Sequence, residues 1–155
     1  MILTKEFRPD QFASALASWS WLDLRDKQPV MTSLFADVFF VAEDGWWFLD
    51  SLEGTLTRHW STADDCRAEI NTDDGQDRFL LGGLAASAHR SGLVLGVDEV
   101  YDFKVPPLLG GKFSVDNVTK MDFAVALNIG GQLVRQLKDL PPGTRIGGIR
   151  VDKDP

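Results

Sequence analysis

Two side chains in this sequence could act together as a nucleophile and a general base, namely Cys66 and His59. Cys66 is the single cysteine, and His59 is one of two histidines. A thiol needs a neighbouring base to become a strong nucleophile, and a strand ending near His59 before a helix containing Cys66 would bring the two close. No oxyanion-stabilising motif and no Gly-x-Ser-x-Gly elbow accompanies them. Because a lone cysteine is more often a buried apolar residue, we assign no catalytic residues and expect a non-enzymatic protein.

The segment 109–113 superficially resembles a phosphate-binding loop. Such a loop needs a hydroxyl residue after its lysine to hold Mg²⁺, but Phe113 stands at that position, and Pro106 replaces the first glycine. We therefore expect a tight glycine turn here and no cofactor.

Aspartates surround Gly75 in the segment 73–77, as they do in some calcium loops. If Gly75 is placed at the obligatory glycine of an EF-hand, Ile70 falls on the first ligand position and Leu81 on the last. Neither residue can bind a cation through its side chain. The segment is more typical of a turn that leads into a helix, so the sequence predicts no metal site.

Carboxylates are concentrated in residues 61–79, where six acids stand against Arg67 and Arg78, a net charge of −4 out of −7 for the chain. The six acids are Asp64, Asp65, Glu69, Asp73, Asp74 and Asp77. A solvated helix face explains such a segment, but a concentrated field of one sign also steers association with a partner of opposite charge. The six acids, called the acidic patch below, are thus a candidate docking surface for a basic protein.

The charge of the whole chain narrows the class of partner. The 155 residues hold 16 Lys and Arg against 23 Asp and Glu. Nucleic acids and anionic membranes are bound mainly through clustered basic residues, so we expect neither as a partner. The N-terminus lacks the apolar region of a signal peptide, and no apolar run reaches the length of a membrane span. We therefore expect a cytoplasmic protein.

Apolar periodicity predicts the elements that hold these residues. A helix opening near Pro9 places Phe12, Leu16 and Trp19 on one face. Three aromatic and β-branched runs, separated by glycine-containing turns, predict an antiparallel meander over residues 35–41, 46–50 and 55–60. The third run alternates with polar residues and has the pattern of an exposed edge strand, which allows a monomer or a weak homodimer.

The rest of the chain predicts helices with a few strands. A capping box of Thr62 and Asp65 begins a short helix. The further expectations are a helix from 74 or 75 to 90, a buried strand at 93–97, an extended segment at 98–107, a short strand at 113–115, and an edge strand at 146–151. Residues 121–140 fit either one helix or a strand followed by a helix, and length favours a helix. The fold class is α+β, one domain with a mixed, largely antiparallel sheet against several helices.

Residues 98–132 contain a motif of four parts: an acidic-Tyr-x-Phe turn, a Pro-Leu-Gly-Gly loop, an asparagine, and a Gly-Gln pair. The residues that carry it are Asp98, Tyr101, Phe103, Pro106, Gly110, Gly111, Asn117 and Gln132. In this motif, and more broadly over residues 19–151, the chain resembles a bacterial domain family of unknown function. That family is named after the C-terminal domain of immunity proteins against DNase effectors of type VI secretion systems.

The resemblance implies a protein that binds and neutralises a toxin domain, such as a nuclease, and it implies no catalytic residues. The motif loop fits a recognition role and a folding role equally well. The alternative function is a small-molecule-binding or housekeeping module, with a pocket between residues 101–111 and the aromatic meander.

Overall fold

A five-stranded antiparallel sheet with the order β1-β2-β3-β4-β5 organises the fold. It is seen in a computed structural model that describes residues 1–140. The strands of this sheet are β1 (Thr4–Lys5), β2 (Gln28–Ser33), β3 (Val38–Ala42), β4 (Gly45–Asp50) and β5 (Thr55–Trp60). A separate antiparallel pair consists of β6 (Glu99–Phe103) and β7 (Val118–Asp122). The α-helices are α1 (Pro9–Leu16), α2 (Ala63–Ile70), α3 (Asp73–Leu80), α4 (Gly82–Arg90) and α5 (Phe123–Lys138).

The alternation of β3 explains why both faces of the sheet are covered. Successive strand residues point to opposite faces. Val38 and Phe40 pack on one face with residues of α1 and α5, among them Phe12 and Phe123. Phe39 points to the other face and joins the cluster that α2 and α3 cover. The α+β fold class is therefore confirmed, as are the predicted meander and the helix at Pro9.

α5 packs at very short range against the 3₁₀ turn Ala17–Trp19, which continues from α1. The Trp19 indole Nε1–H donates to the Leu127 carbonyl at 2.8 Å, and the Ser18 hydroxyl donates to the Asn128 carbonyl at 2.7 Å. A Cβ atom on Gly131 would lie 2.2 Å from the Ser18 oxygen, so only glycine permits this approach. The Asp122 carboxylate begins α5 by accepting from the Val125 N–H at 3.1 Å. The helical interpretation of residues 121–140 is thus confirmed, with a strand directly before the helix.

Two expectations about helices and strands in the middle of the chain are wrong. The helix predicted from 74 to 90 is two helices, because Leu81 has a left-handed conformation with φ 48° and ends α3. The strand predicted at 93–97 is a loop in which Val97 is 83% exposed. Carbonyl groups of this loop accept from lysine side chains instead of a neighbouring strand: Val94 from Lys120 and Gly96 from Lys5.

Two further differences concern a strand predicted within the motif and strand β2, which precedes the meander. The strand predicted at 113–115 is wrong, since the chain forms a 3₁₀ turn at Val115–Asn117 and β7 begins only at Val118. Strand β2 was not predicted, because Gln28 and Pro29 are typical of a break. The register shifts at Pro29, and such a bulge is where a sheet accepts proline. The predicted edge strand at 146–151 lies outside the described residues.

Within residues 1–140, no helix combines the length and the apolar character needed to cross a membrane.

Candidate functional site

Asn117 holds the motif loop, residues 104–117, in one conformation. Its side-chain oxygen accepts from the Val105 N–H, and its Nδ2 donates to the carbonyls of Val105 and Lys112, each at 2.9 Å. The backbone of Lys104 also donates to the Asn117 carbonyl at 2.8 Å. A Cβ atom on Gly111 would lie 1.7 Å from the Val105 carbonyl oxygen, which explains the glycine. The loop is therefore rigid through its own hydrogen bonds.

Tyr101 and Phe103 anchor the strand that leads into this loop. The ring centroids of both lie 5.4 Å from that of Phe35, at the corner before β3. The Tyr101 hydroxyl donates to the Leu93 carbonyl at 2.6 Å, and burial raises the pKa of this phenol. Phe103 also lies edge-on to Phe113, at 5.4 Å between centroids. These rings fix the motif loop to the sheet.

The structure does not bring all eight motif residues into one site. Six of them lie in β6 or the motif loop, with Pro106 and Gly110 at the two ends of a 3₁₀ turn. Asp98 directly precedes β6, and its carboxylate accepts from Gln11 Nε2 at 2.7 Å. Gln132 lies on α5 and donates to the Asn128 side chain at 2.7 Å. Each of these contacts is internal to the fold.

The motif loop nevertheless presents apolar side chains to solvent. Its exposed large hydrophobic residues are Val105, Leu108, Leu109 and Phe113, the last of them 56% exposed. Exposed apolar side chains on a rigid loop are typical of a contact surface.

A cavity of about 250 Å³ lies beneath the motif loop. The loop side supplies Phe103, Pro107 and Leu108, the corners of the meander supply Phe35 and Ser51, and α5 supplies the opposite wall. The α5 residues are Ala126, Leu127, Ile129, Gly130, Leu133 and Val134. Sequence reasoning missed this wall. The apolar stripe of α5 is broader than the surface that α1 alone covers, and this breadth could have indicated a second apolar face.

Among the described residues, Asp102 is the one carboxylate that lines this cavity, and sequence reasoning did not single it out. Its Oδ1 accepts from the Phe103 N–H at 2.9 Å, which favours the ionised form. Burial outweighs that hydrogen bond and raises the pKa of Asp102 above its ordinary value. Among residues 1–140, no Lys, Arg or His forms an ion pair with it.

The acidic patch occupies α2 and α3, and the structure divides it between two clefts. Asp65, Glu69 and Asp74 line an open cleft of about 690 Å³ beside the end of β5, called the acidic cleft below. Asp73 and Asp77 line a second cleft near the N-terminus. Asp64 lines neither cleft.

Ion pairing within the patch is partial. Arg67 pairs with Asp64 at 2.8 Å, and Arg78 lies 3.9 Å from Glu69. Among the described residues, the other four acids form no ion pair. Four of the six acids stand in the first turn of α2 or α3, where a carboxylate also stabilises the helix dipole. The patch therefore has a structural role in addition to any docking role.

The surroundings of Cys66 and His59 oppose roles as nucleophile and base. Cys66 is buried, and desolvation raises the pKa of its thiol to about 12, so the thiolate is absent at neutral pH. The His59 ring packs against Phe48 and Phe79, and its pKa is lowered, first by burial and then by the Arg78 charge. In the part of the chain that the structure describes, no three His, Cys, Asp or Glu side chains could together hold a metal ion.

Asp37 is a buried carboxyl group that sequence reasoning also missed. Its oxygens accept from the Ser33 hydroxyl at 2.7 Å and from the Ser51 N–H and hydroxyl, each at 2.9 Å. These bonds join the end of β2, the start of β3 and the turn after β4. Desolvation, aided by the nearby Asp50 charge, raises the pKa of Asp37 to about 7 despite the three hydrogen bonds.

Comparison with known proteins identifies the fold and nothing more. No protein-family model matches the chain, and no curated protein matches it. Among solved structures, the crystal structure of Atu4351 from Agrobacterium tumefaciens is similar, with a TM-score of 0.56 and 16% sequence identity. The match covers 84% of this chain and 66% of Atu4351, slightly less than two-thirds of that protein. A likeness at this identity supports the α+β fold alone.

Proposed function

We propose that this protein is a non-enzymatic, cytoplasmic immunity-type protein that binds and neutralises a basic toxin domain through the acidic cleft. The single observation that carries the proposal is the exposed carboxylate surface of α2 and α3, which holds more than half of the net charge of the chain. Asp65 and Asp74 lie in the cleft without an ion-pair partner among residues 1–140.

The physical reason is electrostatic complementarity. A nuclease binds the phosphate backbone through clustered Lys and Arg, and a protein surface of closely spaced carboxylates presents a similar field. The resemblance of the motif to the immunity family supports the same function.

Co-expression tests the proposal in cells. Any effector domain that a neighbouring gene encodes is expressed in a host with and without this protein, and we expect the host to survive expression of the effector only when this protein is present. A locus that encodes no basic effector, or an effector whose toxicity is unchanged by this protein, contradicts the proposal.

A pair of charge-matched variants tests the surface. Asp65→Lys with Asp74→Lys reverses two charges in the acidic cleft, whereas Glu43→Lys with Asp116→Lys reverses two exposed charges outside it. Both double variants have the same net charge, so long-range attraction falls equally in both. We expect pull-down of the effector domain to be lost with the first variant and retained with the second. Equal binding by both variants would show that the cleft is not the docking surface.

A further inference from the structure

The cavity beneath the motif loop has the walls of a small-molecule site. Its lining is mostly apolar, with Phe103 and Leu108 on the loop side and Leu127 and Leu133 on α5. Its volume of about 250 Å³ exceeds the ~150 Å³ of an apolar cavity that binds benzene. Scaled by volume from benzene, a ligand of roughly ten non-hydrogen atoms fits this cavity.

The walls are held in place without a ligand. The Asn117 side chain fixes the loop through three hydrogen bonds, and Trp19 and Ser18 fix α5 through its backbone carbonyls. A site that is already formed loses little conformational entropy when a ligand binds.

Asp102 gives the cavity a carboxylate group. One of its oxygens accepts from the Phe103 N–H, and no cationic side chain among residues 1–140 pairs with the carboxyl group. Lys104 lines the cavity too, but its ammonium group forms no ion pair with Asp102. A mostly buried carboxylate in an apolar site is stabilised strongly by a charged donor.

We propose that this cavity binds a small apolar amine, whose apolar body lies between the motif loop and α5 and whose ammonium group pairs with Asp102. The ammonium group of the ligand supplies the ion-pair partner that Asp102 lacks among residues 1–140. When the ligand binds, its apolar body covers the cavity walls formed by Leu133 and Phe103 and removes them from water. The acidic cleft is lined by other residues, so the amine site is independent of the proposed toxin binding.

Three probes of similar size distinguish the ligand chemistry: 4-phenylbutylamine, 4-phenylbutan-1-ol and 4-phenylbutyrate. Calorimetry and thermal-shift titration with the full chain measure their affinities. We expect saturable binding of the amine, about tenfold weaker binding of the alcohol, and the weakest binding of the carboxylate. Absence of saturable amine binding, or binding of the carboxylate as tight as that of the amine, overturns the proposal.

Variants locate the site. Asp102→Asn should weaken amine binding about tenfold and leave binding of the alcohol nearly unchanged, whereas Asp116→Asn, which changes an exposed acid of the motif loop, should change neither. Leu133→Trp should fill the cavity and abolish binding of both. Full amine affinity in either Asp102→Asn or Leu133→Trp contradicts the proposal. Should Asp102→Asn fail to fold, amide chemical shifts in the wild type decide, because bound amine must shift Gly130 and Phe103, and a lack of shifts there contradicts the site.

Discussion

Asp37 shows how a single buried carboxyl group can connect three corners of a sheet and still oppose folding when it is ionised. Its partners Ser33 and Ser51 stabilise the carboxylate, but burial costs more than they return, so the proton is held more tightly in the folded chain. The folded-state pKa of about 7 lies above the ordinary value of 3.8. The stabilising contribution is therefore complete below the ordinary value and is lost as the pH rises through about 7.

Asp37→Asn tests this balance. The free energy of unfolding of the wild type should fall by on the order of 2 kcal/mol more than that of the variant between about pH 5 and about pH 8. Denaturant titrations at several pH values measure both proteins. Asp102, whose pKa is also raised, is common to both and cancels in the comparison. Parallel pH profiles of the two proteins would show that Asp37 does not titrate as described.

The Asn117 side chain maintains the conformation of the motif loop. Replacing it with alanine removes three hydrogen bonds and leaves the Val105 and Lys112 backbone groups to solvent. We expect Asn117→Ala to lower the free energy of unfolding by about 2 kcal/mol. Chemical denaturation gives the value, with Asp116→Ala as the neighbouring control. A loss in Asn117→Ala no larger than in this control would mean that the loop does not depend on the clamp.

Hydrophobic periodicity predicts the helices and strands whose formation depends on local contacts. The meander, α2 with its Thr62 cap, and α5 follow from patterns within short segments, and the structure confirms them. The break at Leu81, by contrast, comes from tertiary packing, because this residue joins the cluster around Phe35 and Tyr101. Strand β2 depends on pairing with β3, which outweighs the turn-like composition at Pro29.

The candidate site was only partly predictable for the same reason. The motif loop and the acidic patch are continuous in sequence, so composition indicates them. The cavity depends on α5 lying against β6 and the corners of the meander, and the importance of Asp102 arises only from its burial there. No local pattern distinguishes it from the other aspartates.

The two glycines in the middle of α5 provide a matched test of how closely the helices pack. A Cβ atom at Gly131 would meet Ser18 and Trp19 within 3 Å, whereas one at Gly130 would meet only Trp19, at 3.8 Å. Gly131→Ala should lower the free energy of unfolding by about 3 kcal/mol through overpacking. Gly130→Ala should raise it by up to about 1 kcal/mol, because alanine favours the helix. Thermal and denaturant unfolding measure both variants. Equal effects would contradict the close packing of α5 on Ser18 and Trp19.

The whole molecule combines a rigid α+β scaffold with an uneven distribution of charge. Its net charge of −7 leads us to expect neither nucleic acids nor anionic membranes as partners. In the fold, more than half of that charge lies on α2 and α3, and three of the acids there share the acidic cleft. The net charge is thereby located on a specific surface, which charge-reversal variants can test.

The most direct measurement is calorimetric titration of the wild-type protein with the basic effector domain that the proposal expects a neighbouring gene to encode, at salt concentrations from ~0.01 M to ~0.15 M. Salt screens charges at the surface, so binding through the acidic cleft should be stoichiometric and tight at low salt and should weaken steeply as salt is added. Absence of binding at low salt, or an affinity that does not change with salt, would contradict the account.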